Sequence, residues 1–393
     1  MKEVVITSAV RTAIGNFGGS LAAVAASELG RIVIEGAIQR SGIAPQQVDE
    51  VLMGQILQAG GGQNPARQAA IRAGLPETVP SYLVNKLCGS GLKSVCLGAL
   101  AVAAGEVDVV VAGGMESMSQ APYLLDKGRT GYRLGHGAVS DSILTDALVD
   151  AFYGIHMGIT AENIAENYDI SREEADQFAL ASQQRAVAAR EVGRVAAEII
   201  AVPVPGKKGA VTLFDHDEYP KADATLEGLA QLKPAFQKDG IVTAGNASGI
   251  NDGAAAVALM SREHAEQQGI VPLATIRGYA SVGLDPRIMG MGPVEAIRKA
   301  LARAGRSLDE IELIELNEAF ATQSLGVLRE LKLSGERVNV NGGAIALGHP
   351  VGASGARVLV TLLHEMRRRG LHTGLAALCI GGGQGIAMVV ERT

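Results

Sequence analysis

Val48-Asp49-Glu50-Val51-Leu52-Met53-Gly54 and Leu308-Asp309-Glu310-Ile311-Glu312-Leu313-Ile314 carry one pattern, an acidic turn running into an apolar stretch of strand length. The likeness continues outward. Cys88 follows Asp49 by 39 residues, and His349 follows Asp309 by 40. Both endpoints sit among small residues, in Cys88-Gly-Ser-Gly-Leu-Lys-Ser94 and His349-Pro-Val-Gly-Ala-Ser-Gly355. Each precedes an Ala- and Leu-rich helical stretch, 92–104 and 353–369, and then a run closing on glycines, 108–114 and 377–383. Apolar runs at 253–260 and 385–390 close both copies. Chance explains any one of these matches; matching order and spacing at four successive points marks an internal duplication.

Each copy alternates strand and helix, and its continuous Val/Ile runs belong to strands covered on both faces. The sequence therefore predicts an α/β protein of two similar halves, 1–120 with 249–270, and 271–393. Between them, 121–248 has no counterpart and reads as an inserted loop domain. It holds a Gly- and Arg-rich excursion (127–136), helices expected over 158–168 and 171–192, and a turn-rich connector (202–209). Ser171-Arg-Glu-Glu174 fits a capping box, in which the two side chains satisfy each other's free amides. A long insertion on a rigid scaffold more often forms a lid or an assembly surface than a linker.

Composition narrows the class. The 393 residues exceed what one core holds, about 250–300. With 47% hydrophobic and 19% charged residues the chain is not disordered and must bury a large core. Lys and Arg number 35 against 41 Asp and Glu, a net charge of −6, which argues against a nucleic-acid partner. Fifty glycines and no Trp leave packing to Ala, Val, Leu and Ile with backbones in close approach. Three cysteines without C-x-x-C spacing exclude a disulfide framework and a zinc ribbon, and no metal site is expected. The N-terminus lacks a signal-peptide pattern, and the longest apolar run, 95–111, is interrupted by Glu106 and Asp108. The expected setting is soluble and cytoplasmic, without a membrane partner.

Cys88, after an extended run and just before a helix, sees the positive end of the helix dipole, which is expected to lower its pKa and favour thiolate. Cys96, inside that helix, reads as a core residue. His349 occupies the position equivalent to Cys88, so two halves packed face to face bring a base to a nucleophile. His156, in Tyr153-Gly-Ile-His-Met-Gly158, is intermediate between a functional and a plain reading. Cys379 ends a strand before Gly381-Gly-Gly-Gln-Gly385, where α/β sheets open to ligands. Asn317, after the strand 311–316, either orients a reactant or caps the next helix; local sequence favours the cap. Leu92 breaks the Walker pattern, and Gly381–Gly385 leads into a strand, so neither phosphate-loop motif holds.

Cys88 in NKLCGSG, Asn317 in NEAF, His349 in GGAIALGHPVGASG and Cys379 in CIGGGQG resemble the four signature blocks of the thiolases, in the family's order. GQNPARQAA, HMGITAENIA and AGNASGINDGAA are similar to further family segments, so the resemblance spans essentially the whole chain. It implies duplicated α-β-α-β-α layers with two mixed-sheet halves. It also implies an acyltransferase that runs a reversible Claisen condensation of two acetyl-CoA to acetoacetyl-CoA and CoA, by a ping-pong route through acetyl-Cys88. His349 would activate Cys88 and Cys379 would deprotonate the second acetyl group. His349 with a water held by Asn317 would form one oxyanion hole, the amides of Cys88 and Gly381 the other. Coenzyme A thioesters would be substrates, with no separate cofactor.

By the same resemblance Leu148, His156, Met157, Phe236, Ser248, Ala319 and Phe320 match positions near pantetheine or the acyl group, and His156-Met157 resembles the short-chain branch. Lys221 stands where the family often has an Arg near the nucleotide. The excursion resembles the family's tetramerisation loop, implying a homotetramer built as a dimer of dimers. A broader-chain 3-ketoacyl-CoA thiolase and a non-catalytic acyl-CoA or lipid carrier are the alternatives. A ketoacyl synthase would be expected to carry His at position 317 and to lack Cys379. A Cys/His/Asn protease fits neither the duplication nor the second thiol.

Overall fold

A computed structural model describes residues 1–206 and 209–392; Lys207 and Lys208 of the expected connector, and Thr393, lie outside the described residues. The first half contains β1 (Val4–Thr12), α1 (Ala26–Ser41), β2 (Glu50–Gly54), β3 (Ser81–Val84), α2 (Ser90–Ala104) and β4 (Val109–Ser117). The insertion carries α3 (Met157–Asn167) and α4 (Arg172–Glu191), after which β5 (Asn251–Ser261) returns to the first half. The second half contains β6 (Ala274–Gly283), α5 (Gly292–Ala304), β7 (Leu313–Leu316), α6 (Ala321–Leu331), α7 (Val351–Arg369), β8 (Thr373–Ile380) and β9 (Gln384–Glu391).

The strand path runs β7-β8-β9-β6-β1-β5-β4-β2-β3. It reads the same from either side of the β6–β1 junction, with β3 the one addition. Pairing agrees: β1–β5 and β5–β4 are antiparallel and β4–β2 parallel, as β6–β9 and β9–β8 are antiparallel and β8–β7 parallel. Among the described residues the halves meet in the sheet at only two residue pairs, Val5 with Thr275 and Ile6 with Ala274. Counted from their first residues, Val109 and Thr373, β4 and β8 set Cys379 opposite Met115. The closing glycines are not equivalent: Gly113 and Gly114 lie inside β4, whereas Gly381, Gly382 and Gly383 follow the end of β8.

Helices α2 and α7 pack on each other between the two sheets. One core joins their buried faces, among them Leu92, Val95, Cys96, Leu359 and Leu362, to strand residues of both halves. A second core lies under α1 and a third under α5, which gives five alternating layers of helix and sheet. α2 is apolar enough to span a membrane by composition, but here it is the centre of the protein, and Cys96 is 2% exposed within it. Glycine makes the α2–α7 contact possible. A Cβ on Gly91 would stand 2.7 Å from Ala356 N, and one on Gly355 only 2.3 Å from Leu92 N. The two backbones therefore touch near their N-terminal ends.

The insertion is fastened by charge. Arg11 of β1, fully buried, donates to Glu198 at 2.7 Å and to both Asp217 carboxylate oxygens at 2.7 and 2.8 Å. Both acids come from the insertion, so a buried, paired cation fixes it to the scaffold. The capping box forms as expected: Ser171 Oγ accepts from Glu174 N at 3.2 Å and Glu174 Oε2 from Ser171 N at 2.8 Å. α3 packs against α6 and α4 against α6, placing the insertion over the second half.

Candidate active site

Cys88 and His349 stand two residues before α2 and α7, the two helices that meet at the centre, and the equivalence read from the repeat brings them to one cavity. That cavity, about 330 Å³, is lined by Leu148, His156, Met157, Phe236, Ser248, Ala319 and Phe320 as well as Cys88 and His349. Lys221 is outside the lining and exposed, its ammonium 5.7 Å from the ring centre of Tyr219, which does line it.

A strained turn presents Cys88. Leu87 adopts φ of 45°, which L side chains rarely adopt, and Ser90 holds it by donating to Leu87 O at 2.6 Å and accepting from Lys86 N at 2.8 Å. The end of β8 lies against this turn: a Cβ on Gly89 would meet Ile380 Cδ1 at 2.4 Å. Gly381 N–H and the backbone N–H of Cys88 both donate to the Cys88 sulfur. Burial nevertheless pushes the Cys88 thiol up to about 11, against the expectation of a depressed value. Loss of hydration outweighs the two amides and the helix terminus, because the site is dry as well as electropositive. Cys379 is fully buried, and burial together with the neighbouring Cys88 raises its thiol well above the ordinary value. Both thiols are protonated at neutral pH.

His349 is 7% exposed, and burial pushes its imidazolium down to about 4, so the ring is neutral. Asn251 Oδ1 accepts its backbone N–H at 2.9 Å. Its Nδ1 lies 2.6 Å from Ser354 Oγ, while Ser354 donates to Pro350 O at 2.9 Å. With that hydroxyl proton committed, Nδ1 is the donor and Nε2 carries the lone pair. Nε2 is buried without a hydrogen-bond partner, as is a base awaiting its proton.

Asn317 does not cap α6. Phe320 is the N-cap residue and has no side-chain cap bond, and Asn317 is 0% exposed with neither amide atom hydrogen-bonded. Its backbone N–H donates to Ala377 O at 2.9 Å, which fixes it one strand away from Cys379. A buried unpartnered amide is costly, so its persistence points to a partner supplied with substrate. His156 caps α3 by accepting Gly158 N at 3.0 Å through Nδ1, and its ring stacks on Phe236 at 4.6 Å.

Several contributors were not identified from sequence. Ser354 lies within the quoted GHPVGASG string, but its role needs the fold. Glu116 accepts from Ile56 N, Leu57 N and Gly352 N at 3.0, 3.1 and 2.8 Å and so ties the first turn of α7 to the other half. Burial raises its carboxyl to about 7. Tyr219 and Met289 join the lining from segments without a local signal.

The thiolase N-terminal domain family matches residues 4–263 and the thiolase C-terminal domain family residues 270–392. A protein of Escherichia coli named acetyl-CoA acetyltransferase is 61% identical over 393 residues, covering 100% of both chains. One of the same name from Pseudomonas aeruginosa is 60% identical over 392 residues, again covering 100% of both. The crystal structure of the Bacillus anthracis acetyl-CoA acetyltransferase superposes with a TM-score of 0.98 at 48% identity, over 100% of this chain and 99% of that one. With the duplicated fold and the thiol–imidazole site already in place, these matches show that the chain is an acyltransferase of the thiolase family.

Proposed function

We propose that this protein is an acetyl-CoA C-acetyltransferase, condensing two acetyl-CoA to acetoacetyl-CoA and CoA and catalysing the reverse. The observation that carries the reading is that Cys88 and His349, with its free Nε2, line one apolar cavity, and that the buried Cys379 packs against other lining residues with Cys88 as its neighbour.

The proton positions support a balanced cycle. Neutral His349 takes the Cys88 proton as sulfur attacks the first thioester carbonyl. Cys379, protonated at rest, gives its proton to the departing CoA thiolate, leaving acetyl-Cys88 and a Cys379 thiolate. That thiolate removes a proton from the methyl group of the second acetyl-CoA, and the resulting carbanion attacks acetyl-Cys88. The Cys88 thiolate released then recovers its proton from His349. In this scheme the amides of Cys88 and Gly381, which already converge on the sulfur, face the oxyanion of the acyl group. Asn317 and His349 serve the enolate oxygen, with a water between.

Met157, Met289, Phe236 and Phe320 limit the acyl end to short chains, and relatives named acetyl-CoA acetyltransferase favour the same assignment. A broader-chain thiolase is the second reading, favoured by a 55% identical Staphylococcus aureus relative named probable acetyl-CoA acyltransferase. Exposed Tyr132 and Leu134 support the excursion as the contact of a dimer of dimers. The test is thioester loss when the protein meets acetoacetyl-CoA and free CoA, repeated with ketoacyl thioesters from C4 to C16. Turnover falling steeply beyond C4 is expected. Equal rates along the series would overturn the chain-length assignment, and binding without turnover would make the protein a carrier.

A further inference from the structure

A second recess, about 890 Å³, lies away from the thiols, between the C-terminal end of α7, the end of α1, β1 and the loop following α4. Val351 begins α7 beside His349; Arg367, sixteen residues on, is about 24 Å away along the helix axis. Arg40, Arg194, Arg367, Arg368 and His364 line the recess, and no acidic residue does.

The cations are not all spent on internal contacts. Arg40 donates to the carbonyls of Ala197 and Ile199, and Arg368 is held by Glu365 at 2.7 and 2.6 Å. The guanidinium groups of Arg194 and Arg367 have neither ion pair nor hydrogen bond among the described residues. His364 Nε2 sits 2.9 Å from Ala9 O and so carries a proton on that side. The floor contains Thr7, at the β-bulge where the β1–β5 register shifts between Ile6 and Ser8; such bulges recur beside ligand sites.

Arginines at a helix C-terminus also offset the helix dipole, as Arg40 does in the last turn of α1, but Arg194 lies beyond the end of α4 in a loop. The duplication supplies a control. α2, the counterpart of α7, ends in Val102-Ala103-Ala104, where α7 ends in Arg367-Arg368-Arg369. The charge belongs to one of two equivalent positions, so the fold itself does not demand it. Ala9, Val192, Ala197, Leu273 and Leu363 give the same recess an apolar wall.

We propose that this recess is a second ligand site, for a nucleotide carrying two or more phosphates. Guanidinium groups from three elements hold the phosphates and stack on the base, and the apolar wall takes the ribose and the base edge. The volume is in the range of small-molecule sites, whereas a chain of net charge −6 does not suit nucleic acid.

The test is calorimetric titration of the full-length protein with ADP, and separately with inorganic pyrophosphate. Expected are one ADP per chain and binding weakened at least about tenfold in an Arg194→Gln, Arg367→Gln variant. That variant should keep its melting temperature and its KM for acetoacetyl-CoA. ADP binding unchanged in the variant, or lost in step with a raised KM, would overturn the site. Pyrophosphate binding as tightly as ADP would overturn the nucleotide assignment. Because ADP titration needs no turnover, the site stands or falls apart from the proposed reaction.

Discussion

Ser354 sets the tautomer of His349. Its hydroxyl proton goes to Pro350 O, so the oxygen 2.6 Å from Nδ1 can only accept, and the lone pair of the ring is turned to Nε2. Replacing Ser354 by Ala frees the ring to flip or change tautomer. A fall in kcat of about 10-fold or more is expected, with KM for acetoacetyl-CoA little changed and Thr restoring most of the loss. Steady-state kinetics of both variants check this; a KM effect alone would make Ser354 a packing residue.

The two thiols should separate in their effects. Cys88→Ala is expected to abolish transfer of labelled acetyl from acetyl-CoA to protein. Cys379→Ser should still acquire the label, yet lose condensation by several orders of magnitude, since a hydroxyl is a far weaker acid. Intact-mass spectrometry reads the adduct. Label persisting on the Cys88→Ala protein would place the nucleophile elsewhere.

Burial governs the Cys88 thiol, and pH should expose that. Raised to about 11, it leaves a thiolate fraction that grows about tenfold per pH unit through the range 7–10. Iodoacetamide inactivation of the ligand-free protein should climb accordingly, with Cys88→Ala as the blank. A rate already level by pH 8 would contradict it. The same shift bears on stability: a thiol whose folded value exceeds the unfolded one, about 8.5, contributes fully below that pH and progressively less up to about 11.

At the helix crossing there is no room for a methyl group. Gly355→Ala would push Cβ to 2.3 Å from Leu92 N, backbone against backbone. Destabilisation of about 1–3 kcal/mol in urea unfolding is expected, accompanied by lost activity in protein that remains folded, because both catalytic loops start from this contact. Gly370→Ala, at an open position with φ of 71°, should cost about 1 kcal/mol and leave activity intact.

Much of this arrangement was legible. The pairing of Cys88 with His349 followed from their equal places in a duplicated pattern, and glycine-rich flanks separated them from Cys96. Asn317 was not legible from its own neighbourhood, since a capping amide and a catalytic one share the same strand-to-helix setting; only its unmet hydrogen bonds tell them apart. The thiol pKa was misjudged for a similar reason. A helix start is visible in sequence, whereas dehydration arises from Met118, Ile143, Val351 and other residues brought from elsewhere in the chain. Glu116 was hidden because its partners, Ile56, Leu57 and Gly352, are backbone amides that carry no side-chain signature.

The slender seam between the sheets, Val5 with Thr275 and Ile6 with Ala274, limits how the gene can be rearranged. A break within the 262–272 connection would leave each translation product with one greasy helix stripped of the helix it packs against. Two cistrons would then have to deliver both polypeptides together and in equal amounts, or lose them to aggregation and proteolysis. A doubled ancestor that had come to rely on α2 lying against α7 therefore gained a reason to stay one reading frame.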